Sequence, residues 1–386
     1  MKAVVCTAGK LELAEVPNPR PAPGQVLINV SRCGICGSDL HARVHTDQLA
    51  DMARTVGYDQ MPRHSDKVVF GHEFCGEVVE YGRDTRRRWK PGTPVVAMPM
   101  CRDGRDVQFI GASTGVPGGY AEQIIVQESM TFEVPNGLPA AHAALTEPMA
   151  VAWHAVRRSR IGKRQNAYVI GCGPIGLAVV AMLKAAGVKA VVASDFSPAR
   201  RELATRLGAD VVVDPRNADP FLSSPRPNRL NNVPDLLNLG FDTMEKLRRI
   251  PNLPWWQAFR AAHKLEIGPS GPVVFECVGV PGMVDNLLST VPMMSKIVVA
   301  GACLETDTWH PGMAINKEIN LVFSTGYDPG EFRDTLHMLA DGTVDPAPLI
   351  TGTVGLSGVD AAFTALGSGE EHAKILIDPA SAAVAP

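Results

Sequence analysis

Val169-Ile170-Gly171-Cys172-Gly173-Pro174-Ile175-Gly176 decides how this chain is read. The apolar run Ala167–Gly171 predicts a strand, and Ile175–Ala186 predicts the helix that follows its glycine turn. Gly171 permits the tight turn, Gly173 lets a pyrophosphate approach the backbone, and Gly176 lets the helix lie close to the strand. Pro174 and Ile175 stand at the helix start, where backbone amides, that of Ile175 included, face phosphates. A lone GxGxxG is a weak signal. Here Asp195 closes the next predicted strand, Val188–Ser194, 19 residues after Gly176. A carboxylate there accepts hydrogen bonds from the adenosine ribose and repels a 2′-phosphate, which favours NAD over NADP. Arg200 is placed to reach the same ribose, although a lone arginine on a helix is more often solvated.

Working outward, Ser197-Pro198 starts a helix through Leu207, since serine caps and proline fits the first turn. Val211–Val213, Val273–Cys277 and Ile297–Ala300 are further buried-strand candidates. Strands alternating with helices imply a parallel sheet. The 58 residues 215–272 are too long for an ordinary connection and carry nine prolines with Trp255 and Trp256. Asp242-Thr-Met-Glu245 resembles a capping box. Trp255, Trp256, Phe259, Ala262 and Leu265 recur at helical spacing. The segment reads as an inserted subdomain with one or two short helices, either a surface elaboration or subunit contact, or a lid over the active site.

Upstream, residues 1–147 are rich in short β-like runs, among them Val68–Tyr81, punctuated by Pro and Gly. They predict an all-β barrel or sandwich. Met149–Val156 reads as a helix with Pro148 at its first position. The 386 residues therefore divide into two domains rather than three in series. Domain one is 1–147, resumed at 323–386; domain two is 148–322.

Hydrophobic residues make up 45% and charged residues 20%, which excludes a wholly disordered chain. The formal net charge of −3 argues against a nucleic-acid partner. No segment reaches the roughly 18 apolar residues of a membrane span, and the start lacks a signal-peptide core. Eight cysteines, of which only Cys33 and Cys36 are close, are too sparse for a disulfide scaffold. A cytoplasmic location follows.

Three short segments carry metal-type residues: Cys33-Gly-Ile-Cys36-Gly-Ser38-Asp39-Leu-His41, Gly71-His72-Glu73 and Glu147-Pro148. Zinc takes thiolate, imidazole and carboxylate ligands, and a catalytic site leaves one position open. Together with PGGYAEQ, VVFGHEFCGEVVEYG, TEPMAVAWHAVRRS, VIGCGPIGL and VFECVGVPG, these segments resemble the zinc-dependent alcohol dehydrogenases of the medium-chain dehydrogenase/reductase superfamily. The resemblance covers nearly all of the chain except 215–272 and the region around 44–66. Glu147-Pro-Met-Ala-Val-Ala-Trp-His154-Ala is most similar to the sorbitol, threonine and 2,3-butanediol type.

The resemblance implies a Rossmann-fold doubly wound parallel sheet beside a GroES-like all-β catalytic domain. It places Cys36 and His72 as catalytic zinc ligands, Glu147 as the third ligand directly or through water, and Glu73 near the metal. Ala300, Gly301 and Ala302 match the stretch beside the nicotinamide. Ser38 and His41 would carry the proton away, with Asp39 between them orienting the loop. Cys33 and His154 are expected to be packing residues. Many relatives hold a structural zinc with four cysteines; here Cys101 stands alone, so one catalytic zinc per chain and no structural zinc is expected. The implied activity is NAD-linked interconversion of a secondary alcohol, vicinal diol or polyol and its ketone, by a homo-oligomer, a dimer being favoured. A zinc-free quinone-type reductase and a non-catalytic NAD-binding regulator remain as alternatives.

Overall fold

A strand can enter a sheet only where its backbone stays extended, and glycines with positive φ mark where this chain stops doing so. The computed structural model describes residues 1–264, 268–368 and 371–386. They fall into two units: Met1–His154, Gly173–Ala185 and Thr325–Pro386 form one, and Ala155–Cys172 with Ala186–Ser324 the other.

The first unit is built on a seven-stranded sheet. Its order is Ile350–Val354, Lys374–Ile377, Gln25–Gly34, Glu73–Tyr81, Pro94–Ala97 and Thr131–Glu133, with Gln123–Gln127 also paired to Gln25–Gly34. All pairings are antiparallel except Ile350–Val354 with Lys374–Ile377. Two further hairpins, Lys2–Thr7 with Lys10–Glu15 and Met100–Asp103 with Asp106–Phe109, lie outside that sheet. Ala8 and Gly9 both have positive φ (49° and 74°), as a two-residue hairpin turn demands. The core gathers Val26, Ile28, Ile124, Tyr120 and Ile375, each fully buried. A large apolar side chain taken wholly out of water stabilises by about 1.5–3 kcal/mol.

Three expectations change here. The run predicted over Val68–Tyr81 is a strand only from Glu73, because Gly71 turns the chain at φ 104°. The segment after Cys36, read as a loop, is a 19-residue helix, Gly37–Thr55, kinked at His45. Cys36 is its N-cap, and Asp39 in its first turn accepts a hydrogen bond from the Cys36 amide (3.1 Å). The helix around Glu147 spans Thr146–Ser159, so Pro148 is its third residue rather than its first. It still lies in the first turn, where its missing N–H has no intrahelical partner to lose.

The second unit holds a six-stranded parallel sheet in the order Val211–Val213, Ala190–Ser194, Asn166–Ile170, Val273–Glu276, Lys296–Val299 and Asn320–Phe323. Numbered along the chain this order is 3-2-1-4-5-6, the doubly wound arrangement that reverses beside its first strand. The inner strands are buried apolar runs, as a parallel sheet covered on both faces requires, while the edge strands Val211–Val213 and Asn320–Phe323 are less buried.

The insert carries two helices, Val233–Arg248 and Trp255–Lys264, after a short 3-10 turn at Pro220–Leu222. The expected capping box at Asp242–Glu245 is wrong: both residues sit inside the first helix. The true cap is Asn232, whose side chain accepts from the Asp235 amide (3.0 Å), with Pro234 in the first turn. Leu265, grouped above with the Trp255 helix, lies outside the described residues. Asn166 ties the insert down by donating to the Arg226 carbonyl and the Asn228 side chain (both 2.8 Å). No described helix is long and apolar enough to cross a membrane.

Candidate metal and active site

Cys36, His72 and Glu73 come together in the first unit. Their ligand atoms all lie within 4.8 Å of one another. Each position follows from the local fold. Cys36 sits where the end of strand Gln25–Gly34 gives way to a helix start. His72 and Glu73 sit where Gly71 releases the chain into the neighbouring strand, whose register sets Glu73 opposite Gly34. A Cβ at Gly34 would collide with the Glu73 carboxylate, so the glycine makes room for it.

Asp39, together with groups to which the sequence assigned no role, holds these donors. Asp39 is buried and faces the His72 ring, Oδ1 to Nδ1 at 3.4 Å, while its Oδ2 accepts from the Tyr120 hydroxyl at 2.6 Å. Burial pushes the Asp39 pKa up, but His72, Tyr120 and the Cys36 amide outweigh it and leave it below the usual carboxylate value. Burial likewise opposes a charge on His72, yet Asp39 and Cys36 beside it hold its pKa well above the ordinary imidazole value. Glu73 is bound through both oxygens by the Lys374 ammonium (2.7 Å each), which also donates to the Ile35 carbonyl (2.9 Å). Asp39 therefore faces the imidazole and also fixes the backbone at Cys36, where the segment proves to be a helix start rather than a loop.

Glu147 is not within that donor group, but it lines the same cavity as His72. Tyr327 donates to its Oε1 at 2.9 Å. Burial, with Glu73 nearby, pushes the Glu147 carboxyl up to about 7, His72 pulling the other way. The cavity measures about 260 Å³. Ser38 Oγ stands 3.4 Å from His72 Nε2. His41 lies one helical turn beyond Ser38, so the two share a face; its pKa is lowered by partial burial and by His45. Cys33 is fully buried between Gly71 and Gly119, where a Cβ on either glycine would strike its sulfur. His154 pairs with Glu331 at 2.7 Å. Cys101 is buried in the core, its thiol pushed up to about 12 by burial.

Gly171 turns at φ 90° after strand Asn166–Ile170 of the second unit. The chain then continues through Gly173, beside which a Cβ would meet no atom within 4 Å, into helix Pro174–Ala185, which is assigned to the first unit. Ile175 and Gly176 lie in that helix's first turn. Asp195 is held by two backbone amides, from Cys172 (2.7 Å) and Ser197 (2.8 Å). Arg200 is nearby, its amide donating to the Ser197 cap at 3.3 Å, and its buried Nε has no hydrogen-bond partner among the described residues. The amides of Ala300 and Gly301 donate to the Glu276 carbonyl (both 2.9 Å), and Ala302 abuts Gly279. Glu276, also missed, is buried and accepts from the Val278 and Gly279 amides (2.7 and 2.8 Å), which fixes the loop facing Ala300–Ala302.

Lys374 carried a signal that could have been read: a lysine heads the apolar run Lys374-Ile-Leu-Ile377, and a buried ammonium needs a paired carboxylate. Tyr120 and Tyr327 carried none, since a tyrosine in a loop has no periodicity to betray it.

Two family descriptions match. Residues 22–136 match the alcohol dehydrogenase GroES-like domain, and residues 174–224 match the zinc-binding dehydrogenase domain. The chain belongs to the zinc-dependent alcohol dehydrogenase family. It is 28% identical over 379 residues to (R,R)-butanediol dehydrogenase of Bacillus subtilis (strain 168), spanning 96% of each chain. It is 31% identical over 231 residues to sorbitol dehydrogenase of Gallus gallus, covering 57% of this chain and 62% of that one. The crystal structure of 2R,3R-butanediol dehydrogenase from Bacillus subtilis matches with a TM-score of 0.74 at 29% identity, over 98% of this chain and 99% of that one. A zinc-binding dehydrogenase from Sinorhizobium meliloti 1021 bound to NADP matches with a TM-score of 0.73 at 25% identity, over 98% and 99%. The family's fold pairs a GroES-like β domain with a Rossmann domain, and this chain's two sheets have those forms.

Proposed function

We propose that this family member is an NAD-linked, zinc-dependent enzyme that oxidises a secondary alcohol, vicinal diol or polyol to the ketone, and catalyses the reverse. The observation that carries the reading is the convergence of the Cys36 thiol, the His72 imidazole and the Glu73 carboxylate within 4.8 Å, beside a cavity that a second carboxylate, Glu147, also lines. Sulfur, nitrogen and oxygen donors in that number fit zinc. When bound, zinc supplies a Lewis acid for the substrate oxygen, and NAD supplies the acceptor for the hydride.

Cys36 and His72 hold the metal. Of the two carboxylates, Glu147 is the favoured third donor, because both oxygens of Glu73 are already engaged by Lys374. Asp39 fixes the His72 ring, as outer partners of ligand histidines do. Ser38 takes the proton of the substrate hydroxyl as it releases its own toward His41, which passes one to solvent; partial burial and His45 lower the His41 pKa. Asp195 receives the adenosine ribose hydroxyls, with its carboxylate oriented by the Cys172 and Ser197 amides and Arg200 beside it. The open space at Gly173 fits a pyrophosphate. One zinc per chain suffices, since Cys101 is a packed core thiol.

The test joins metal analysis to turnover. Gently purified protein should hold about one zinc per chain and form NADH from an alcohol or diol. Cys36→Ser should lose zinc and turnover while still binding NADH. Zinc well below stoichiometry in active protein would point instead to a quinone-type reductase.

A further inference from the structure

The cavity beside His72 is lined by two kinds of group. His72, Glu147 and Tyr327, whose hydroxyl donates to Glu147, are polar. Met98, Pro99, Met100, Phe109, Ile110 and Ala112 are apolar. Met100 and Phe109 are directly paired residues of one hairpin. That hairpin is anchored on both sides. The Phe109 amide donates to the Tyr58 hydroxyl (3.1 Å), and the two rings meet edge to face at 5.1 Å. The Gln108 side chain donates to Gln60 (3.0 Å), and the Ile110 amide to the Pro99 carbonyl (2.9 Å). Cys101, the solitary cysteine of this region, packs its base as a core residue. The side chains of Met98, Met100, Phe109 and Ile110 offer no hydrogen-bond donor or acceptor stronger than a thioether.

We propose that the hairpin Met100–Phe109 is the specificity element of this site, and that it selects an alcohol or vicinal diol whose far end is alkyl over a polyol hydroxylated there. The inference rests on the dehydrogenase reading above. A substrate places its oxygens at the polar groups His72, Glu147 and Tyr327, and its next carbons then lie against the methionines and Phe109. A methyl group is at home on that wall. A hydroxyl in its place is offered no hydrogen-bond partner by those side chains. An apolar pocket discriminates against an added hydroxyl by about 10²-fold at most, so the preference is bounded as well as directed.

Two four-carbon substrates of matched configuration at the central carbons decide the matter: butane-2,3-diol and the corresponding butanetetrol. They share the reacting diol and differ only at the two ends. With the zinc-replete full chain and NAD, kcat/KM for the diol should exceed that for the tetrol by about 10- to 100-fold. Met100→Gln keeps the length of the side chain and adds an amide on the wall. It should shrink the ratio by about tenfold, mainly by lowering kcat/KM for the diol, with NADH affinity unchanged. Equal or better use of the tetrol by the wild-type chain overturns the proposal while leaving the dehydrogenase reading intact. An unaltered ratio in a folded Met100→Gln protein removes the hairpin from the selection. Should that variant not fold, the wild-type ratio still decides. No NADH from any alcohol refutes the underlying reading and this inference with it.

Discussion

Removing the ammonium of Lys374 while keeping its bulk is the most demanding test of how the site is held. In Lys374→Met the Glu73 carboxylate loses contacts of 2.7 Å to both oxygens, and the Ile35 carbonyl loses its 2.9 Å donor. The two side chains are 3% and 1% exposed, so water cannot replace what is lost. Breaking a buried pair from one side costs about 3–5 kcal/mol, because a charge is left uncompensated. The assay is denaturant unfolding of chelated protein, since a cation bound beside Glu73 would mask the deficit. The companion variant Glu73→Gln/Lys374→Met removes both charges and should regain most of the loss, giving a coupling of about 3 kcal/mol. The effect has a defined pH course. Burial opposes the charge on Lys374, but Glu73 and Cys36 hold its pKa above the ordinary 10.5. A raised basic group stabilises fully below its unfolded pKa and loses that contribution as pH climbs through the folded one. The deficit should therefore persist at neutral pH and close as pH climbs into strong alkali, where the wild-type ammonium is lost as well. A loss under about 1 kcal/mol, or a double variant no more stable than the single one, would refute the reasoning that an unpaired buried charge is the burden.

Three other outcomes are expected. Asp39→Asn weakens the partner of the His72 ring and should lower zinc affinity by about 10- to 100-fold, read by competition with a chelator. Asp195→Ala should raise the Kd for NAD more than that for NADP; equal changes in fluorescence titration would mean the carboxylate does not meet the ribose. The thiols of Cys75, Cys101 and Cys172 are pushed up to about 12 by burial, so iodoacetamide near neutral pH should leave them unlabelled until the chain unfolds, as peptide mass mapping would record.

Local chemistry was legible in the sequence, and distant chemistry was not. The glycine turn at Gly171–Gly176 and the acid at Asp195 could be read because a strand, a turn and a helix start declare themselves within a few residues. The donors Cys36 and His72 stood in compact motifs for the same reason. The groups that hold those donors are another matter. Lys374 meets Glu73 across 301 positions, and Tyr327 meets Glu147 across 180. Nothing local specifies such a pairing; it exists only once strand Lys374–Ile377 has taken its place beside Gln25–Gly34. The helix Gly37–Thr55 escaped notice because its glycine and its polar residues, Ser38, Asp39 and His41, suit a loop equally well. The insert shows the opposite error. Asp242 and Glu245 had capping spacing, but the competing start at Asn232-Val-Pro234-Asp235 won, since its cap and its proline act together.

The setting of Cys36, His72 and Glu73 also bears on how folding and metal binding are linked in this molecule. Asp39, Tyr120, Lys374 and a helix start secure all three through bonds between protein groups alone. Small domains whose ligands have no such support are unfolded until the metal arrives, so that for them binding and folding are one event. Here the groups around the donors have partners of their own in the fold, so the placement of the site draws on the protein's own hydrogen bonds as well as on the metal.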